Sequence, residues 1–107
     1  MDNEKLLEGI QFVIFGENEW RVKAKTGKDG KLTVTYDAHG QSVRDAKKDI
    51  RNIVNVARIP FTLNIIHGYH NGTAIKEMLR EENFSGKVTF KKTFKDNKGK
   101  TIMKVKV

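Results

Sequence analysis

The chain reads as an α+β two-layer sandwich on a mixed sheet, and three observations predict it. Runs 31–36 (Lys-Leu-Thr-Val-Thr-Tyr) and 61–66 (Phe-Thr-Leu-Asn-Ile-Ile) have strand length and strand composition, and a helix-period stretch lies between them. A second, shorter helical stretch follows. The sequence then ends on two alternating runs around a polar, glycine-containing turn, as in a hairpin. In order this is a β-α-β-α-β-β core over residues 31–107, preceded by a β-meander extension over residues 1–30.

The elements follow from local pattern. In the extension, 11–15 and 20–25 are strand-like around Gly16-Glu17-Asn18-Glu19, residues 1–8 read as a frayed helical turn, and 26–30 as a turn. Trp20, Val22 and Ala24 alternate with Arg21, Lys23 and Lys25, so one face packs and the other carries three positive charges. Trp20 reads as a packing anchor rather than a base-stacking platform, since Trp is so often buried. From Ser42 the apolar positions Val43, Ala46, Ile50, Ile53, Val54 and Ala57 recur at spacings of three and four, one buried face of a helix of about four turns. Its other face is charged. Ser42 with Asp45 three residues on is a capping-box variant that starts this helix just past His39-Gly40. Pro60 punctuates the return to the second strand. After Gly72, Ile75, Met78 and Leu79 mark a helix running to about Asn83, closed by Gly86. Runs 87–94 and 101–107 alternate with period two around Lys95-Asp96-Asn97-Lys98-Gly99-Lys100.

Composition excludes several classes of function. The 107 residues contain no Cys, which removes disulfides, thiolate catalysis and thiolate-held metal. No apolar run approaches the roughly 18 residues of a membrane span. The start, Met1-Asp2-Asn3-Glu4-Lys5, is acidic and polar where a signal peptide is basic and then apolar, so the expectation is a cytoplasmic protein with no membrane partner. Twenty-one basic residues against 13 acidic give +8, the balance expected of a protein that meets a polyanion. Most of the excess is C-terminal: residues 84–107 hold eight Lys against Asp96 alone. Lys91, Lys92, Lys95, Lys98 and Lys100 are therefore candidate phosphate contacts. Lys rather than Arg favours diffuse attraction to phosphate over base-specific contacts, and Lys on an exposed strand also blocks edge-to-edge pairing.

All three histidines fall in two short loops, Asp37-Ala38-His39-Gly40 and His67-Gly68-Tyr69-His70-Asn71-Gly72, each joining a strand-like run to a helix-like run. In a βαβ unit the two strands are parallel, so both loops leave the same sheet edge, where ligands of open α/β sheets bind. Asp37 and His39, two residues apart at a strand end, leave on one side and can cooperate. The bland readings stay beside these: Asp37 as a cap on the following helix, His39 and His67 as bonds between the loops, His70 as a surface residue. A metal site from Asp37, His39, His67 and His70 is a weaker option without Cys or a further carboxylate.

These segments carry a resemblance. Tyr36-Asp37-Ala38-His39-Gly40 with Ser42 and Asp45-Ala46 resembles the first motif of the Smr (small MutS-related) domain, Leu-Asp-Leu-His-Gly. Ile65-Ile66-His67-Gly68 with Gly72 resembles its second, His-Gly-x-Gly-x-Gly, and Gly99-Lys100-Thr101-Ile102 resembles the Gly-x-Thr-x-Val opening of its last strand. The likeness covers residues 31–107. Departures are Tyr36 and Ala38 at the family's aliphatic positions and His70 at its middle glycine. The resemblance implies a fold similar to the C-terminal domain of bacterial translation initiation factor 3. It also implies binding or cutting of DNA or RNA, with members that nick DNA and others that cleave mRNA at stalled ribosomes.

Cleaving a phosphodiester requires holding the phosphate, activating a nucleophile and protonating the leaving oxygen. His39 is the candidate base or acid, Asp37 its orienting partner or a metal ligand, and His67 a second proton donor or phosphate contact. Helix N-termini after Gly40 and Gly72 offer N–H donors to phosphate, Gly68 is a further phosphate-binding candidate, and Tyr69 and His70 add a contact or a stacking surface. Two functions follow. The first is an endonuclease on RNA or DNA, either metal-free through the RNA 2′-OH or with a divalent ion activating water. The second is a non-catalytic module binding nucleic acid or the ribosome.

Overall fold

The computed structural model describes residues 20–55, 59–67, 72–81, 84, 86–93 and 99–106. Their elements are β1 (Val22–Thr26), β2 (Leu32–Asp37), α1 (Val43–Asn55), β3 (Phe61–Ile66), α2 (Gly72–Glu81), β4 (Val88–Thr93) and β5 (Lys100–Val105). The expected strand at 11–15, the turn at 16–19 and the helical turn at 1–8 lie outside the described residues.

The described strands form one mixed sheet in the order β1-β2-β3-β5-β4. β2 and β3 are parallel, with Val34 beside Leu63 and Asp37 beside Ile66, as the βαβ reading requires. The other three pairings are antiparallel. β5 lies between β3 and β4, which leaves the lysine-bearing β4 at the edge with an irregularity between Val88 and Phe90. A bulge of this kind together with Lys side chains discourages edge pairing.

Alternation decides which face is dry. Leu32, Val34 and Tyr36 of β2, Phe61, Leu63 and Ile65 of β3, and Met103 and Val105 of β5 point one way and join a single core with Ala46, Ile50, Ile53 and Val54 of α1 and Ile75 and Leu79 of α2. Both helices therefore cover one face of the sheet. Burying each of the larger aliphatic side chains contributes about 1.5–3 kcal/mol. The predicted apolar stripe of α1 is buried except for half-buried Val43, and Ala57 lies outside the described residues. Lys87 donates to the Asn55 carbonyl at 3.3 Å, placing a cation at the C-terminal end of α1, whose last turn has no basic residue of its own.

One packing expectation fails. Trp20 is 53% exposed instead of anchoring the core. The strand begins at Val22, and residues 20–21 belong to a short helical turn, so the in-out alternation that buries Val22 does not extend back to Trp20. Arg21 leaves the expected charged face for the same reason. No helix among the described residues is long and apolar enough to cross a membrane.

Candidate functional site

Backbone hydrogen bonds gather three distant segments at the end of the parallel pair. Ala38 N donates to the Ile66 carbonyl at 2.7 Å, continuing the β2–β3 ladder past the strands. His67 N donates to the Gly99 carbonyl at 2.7 Å, and the His67 ring Nε2 shares a 3.0 Å hydrogen bond with the Thr101 hydroxyl. The 37–40, 65–67 and 99–101 segments thus form one corner of the molecule.

Within it, Asp37 and His39 are paired. The Asp37 Oδ1 atom accepts from the His39 ring Nδ1 and, at 3.1 Å, from the His39 backbone N. A carboxylate on Nδ1 fixes the proton there, which leaves Nε2 as the free acceptor of the neutral ring. The His39 side chain is 58% exposed and that of Asp37 27%, so the pair opens to solvent.

Gly40 follows at φ +81°, a left-handed conformation that costs any residue with a Cβ. Gln41 N donates back to the Ala38 carbonyl at 3.0 Å, and Ser42 Oγ caps α1 by accepting from Asp45 N at 3.0 Å. The cap expected from sequence is therefore Ser42, and Asp37 bonds its own loop and His39. Gly72 begins α2.

Beneath the loop lies a buried polar cluster that the sequence reading missed. Tyr36 donates its hydroxyl to Asp49 Oδ2 at 2.6 Å, and Gln41 Nε2 donates to the same oxygen at 2.9 Å. Burial, and then donation to the Asp49 carboxylate, push the Tyr36 phenol far above its ordinary value. Asp49 sits three residues after Ala46 and one before Ile50, on the apolar face of α1. That misplaced carboxylate was the available signal.

Two more residues hold the site from the β1 side. Arg21 donates one guanidinium nitrogen to the carbonyls of Asp37, at 3.0 Å, and of His39, at 2.8 Å. Its Cζ lies 4.4 Å from the Trp20 ring centroid, and the Trp20 and His39 rings meet edge to face at 5.7 Å.

The remaining expected residues are scattered. His67 is only 2% exposed, facing Thr101 rather than solvent. Lys91 points toward the helix side, 5.4 Å from the Phe84 ring centroid, while the adjacent Lys92 is on the opposite face of β4, and Lys100 is half-buried at the start of β5. Gly68, Tyr69, His70, Lys95 and Lys98 lie outside the described residues. A basic surface is on α1, where Arg44, Lys47, Lys48 and Arg51 with Val43 and Asn52 line an open groove of about 620 Å³. It begins within a turn of the Gly40 loop.

Among the described residues no three His, Asp or Glu side chains group as metal ligands. Asp37 Oδ1 already serves two donors of His39, and the nearby Asp49 carboxylate is buried on Tyr36 and Gln41. Of these two carboxylates only Asp37 is exposed enough to offer an oxygen to a divalent ion, and no further described side chain completes a set around it. No family model, no curated protein and no solved structure matches this chain.

Proposed function

We propose that the chain is an Smr-like nucleic-acid-binding domain, of a fold similar to the C-terminal domain of translation initiation factor 3, that cleaves phosphodiester bonds through the Asp37–His39 pair. One observation carries the reading. The three segments that resemble Smr motifs, more than 60 residues apart in sequence at their ends, are hydrogen-bonded into one corner around an exposed carboxylate–imidazole pair. The basic groove on α1, which begins within a turn of the Gly40 loop, supports it by offering cations to a phosphate backbone.

The metal-free route on RNA suits the donor set best. His39 Nε2 takes the proton of a ribose 2′-OH, the 2′-oxygen bonds to phosphorus, and the P–O5′ bond breaks to leave a 2′,3′-cyclic phosphate and a 5′-OH. The protonated ring, still held on Asp37, returns its proton to the leaving 5′-oxygen. Backbone N–H groups at the start of α1 face the developing negative charge on the non-bridging oxygens.

A second reading has its own observation. His67, the expected second proton-transfer group, is buried, so His39 is the one exposed imidazole among the described residues. A module that grips nucleic acid, free or on a ribosome, without cutting it needs no second group. End-labelled single- and double-stranded RNA and DNA, incubated with the purified chain with and without chelator, separate the two. Chelator-resistant cleavage of RNA to 2′,3′-cyclic ends is the expected result. Salt-sensitive binding with all four polymers intact would favour the non-catalytic module.

A further inference from the structure

We propose that Trp20 is a stacking platform for an unpaired base next to the phosphate on which the Asp37–His39 pair acts, which makes the ligand single-stranded nucleic acid. The inference rests on the nucleic-acid reading above and adds to it the state of the strand.

Trp20 is the only Trp of the chain, and 53% of its surface is exposed. Leaving so large an apolar ring in water forgoes the burial that usually places Trp inside. Yet the ring has polar neighbours of its own. Arg21 lies over it with Cζ 4.4 Å from the ring centroid, and the same guanidinium donates to the carbonyls of Asp37 and His39. The indole, the guanidinium and the carboxylate–imidazole pair are therefore one connected unit.

Its spacing is on the scale of a nucleotide. The indole and His39 ring centroids are 5.7 Å apart, so a base on the indole and a phosphate at His39 fall within the reach of one short stretch of strand. A phosphate at His39 thus brings a neighbouring base to the indole. Stacking needs an open π-face on both partners, and a base inside a duplex has both faces covered by its neighbours. Because every base has such a face, the platform confers little sequence preference, in keeping with a chain whose basic residues are mostly Lys.

The single indole makes the test direct. Full-length chain is titrated with a labelled single-stranded oligoribonucleotide, with the same strand annealed to its complement, and with inorganic polyphosphate, following indole fluorescence and label anisotropy together. Saturable quenching by the single strand that tracks the anisotropy is expected, with no quenching by polyphosphate. Trp20→Leu should weaken single-strand binding by about 5- to 100-fold, and Trp20→Phe should recover part of it. In a series of strands with one abasic position each, the advantage of wild type over Trp20→Leu should vanish at one position. If the strand binds with the indole unquenched and Trp20→Leu binds equally well, stacking is wrong while the nucleic-acid reading stands. If Trp20→Leu weakens single strand, duplex and polyphosphate alike, Trp20 only braces Arg21 and the proposal is overturned. Binding of no polymer would remove the nucleic-acid reading and this inference with it.

Discussion

Tyr36 has no exposed surface, and its hydroxyl ends on Asp49, a carboxylate carried by the apolar side of α1. Tyr36→Phe removes a donor from a carboxylate shut away from bulk water, which should cost about 1–3 kcal/mol in urea unfolding at neutral pH. The phenol's value is raised in the folded protein, so this stabilisation is complete while the unfolded chain's phenol is also neutral, below about pH 10. Above that the unfolded chain gains by ionising and the advantage declines. The gap between wild type and Tyr36→Phe should therefore narrow in alkali; a gap that widens would contradict the assignment. Single residues were unevenly legible in sequence. Asp37 and His39 share a side because they are two apart at a strand end, and they do pair. Asp49 was overlooked although its place in the Ala46–Ile50 stripe was visible. Trp20 was misread because alternation was carried two residues beyond the start of the strand.

At the level of elements, the β2–α1 junction depends on two residues with different physics. Gly40 supplies a left-handed φ of +81° with open space where a Cβ would stand, so Gly40→Ala should cost about 1–2 kcal/mol through backbone strain alone. Ser42→Ala removes the α1 cap and should cost about 1 kcal/mol. The two differ in their helix signal: peptide helicity should follow the Ser42 change more than the Gly40 change. Along α1, charge decides. The paired reversal Arg44→Glu and Lys48→Glu should lower affinity for single strands and flatten the log–log salt slope by about 1.4 or more, the share of two phosphate contacts. An unchanged slope would move the interface off α1. Element order and type were readable because the hydrophobic period switches cleanly between two and 3.6, and β3 begins and ends where its composition does. Other ends shift by a residue or two, since the ladder rather than the side-chain pattern sets where a strand stops.

For the whole molecule, topology brings the site together. Parallel pairing of β2 and β3 brings the Asp37–Gly40 loop and His67 to one edge, and insertion of β5 beside β3 adds Gly99 and Thr101 to the same corner. The parallel pair follows from any βαβ reading, so the convergence of the loops was legible. The depth of His67 was not, because burial at that corner depends on which strand becomes the neighbour of β3. The charge excess likewise looked C-terminal in the linear count, yet the lysines of β4 divide between two faces, and α1 carries a close-set group of cations among the described residues. A linear count cannot separate the two faces of a strand.

The central claim is that the Asp37–His39 pair performs chemistry. Its most direct test is single-turnover cleavage of an end-labelled single-stranded RNA by wild type, His39→Ala and Asp37→Asn, with binding affinity measured in parallel. Loss of His39 should slow cleavage by about 10²–10⁴-fold at nearly constant affinity. Asp37→Asn should also slow it, because the amide can donate to Nδ1 and leave Nε2 protonated. Cleavage at the wild-type rate in both variants, or none by any of the three despite tight binding, would contradict the catalytic account.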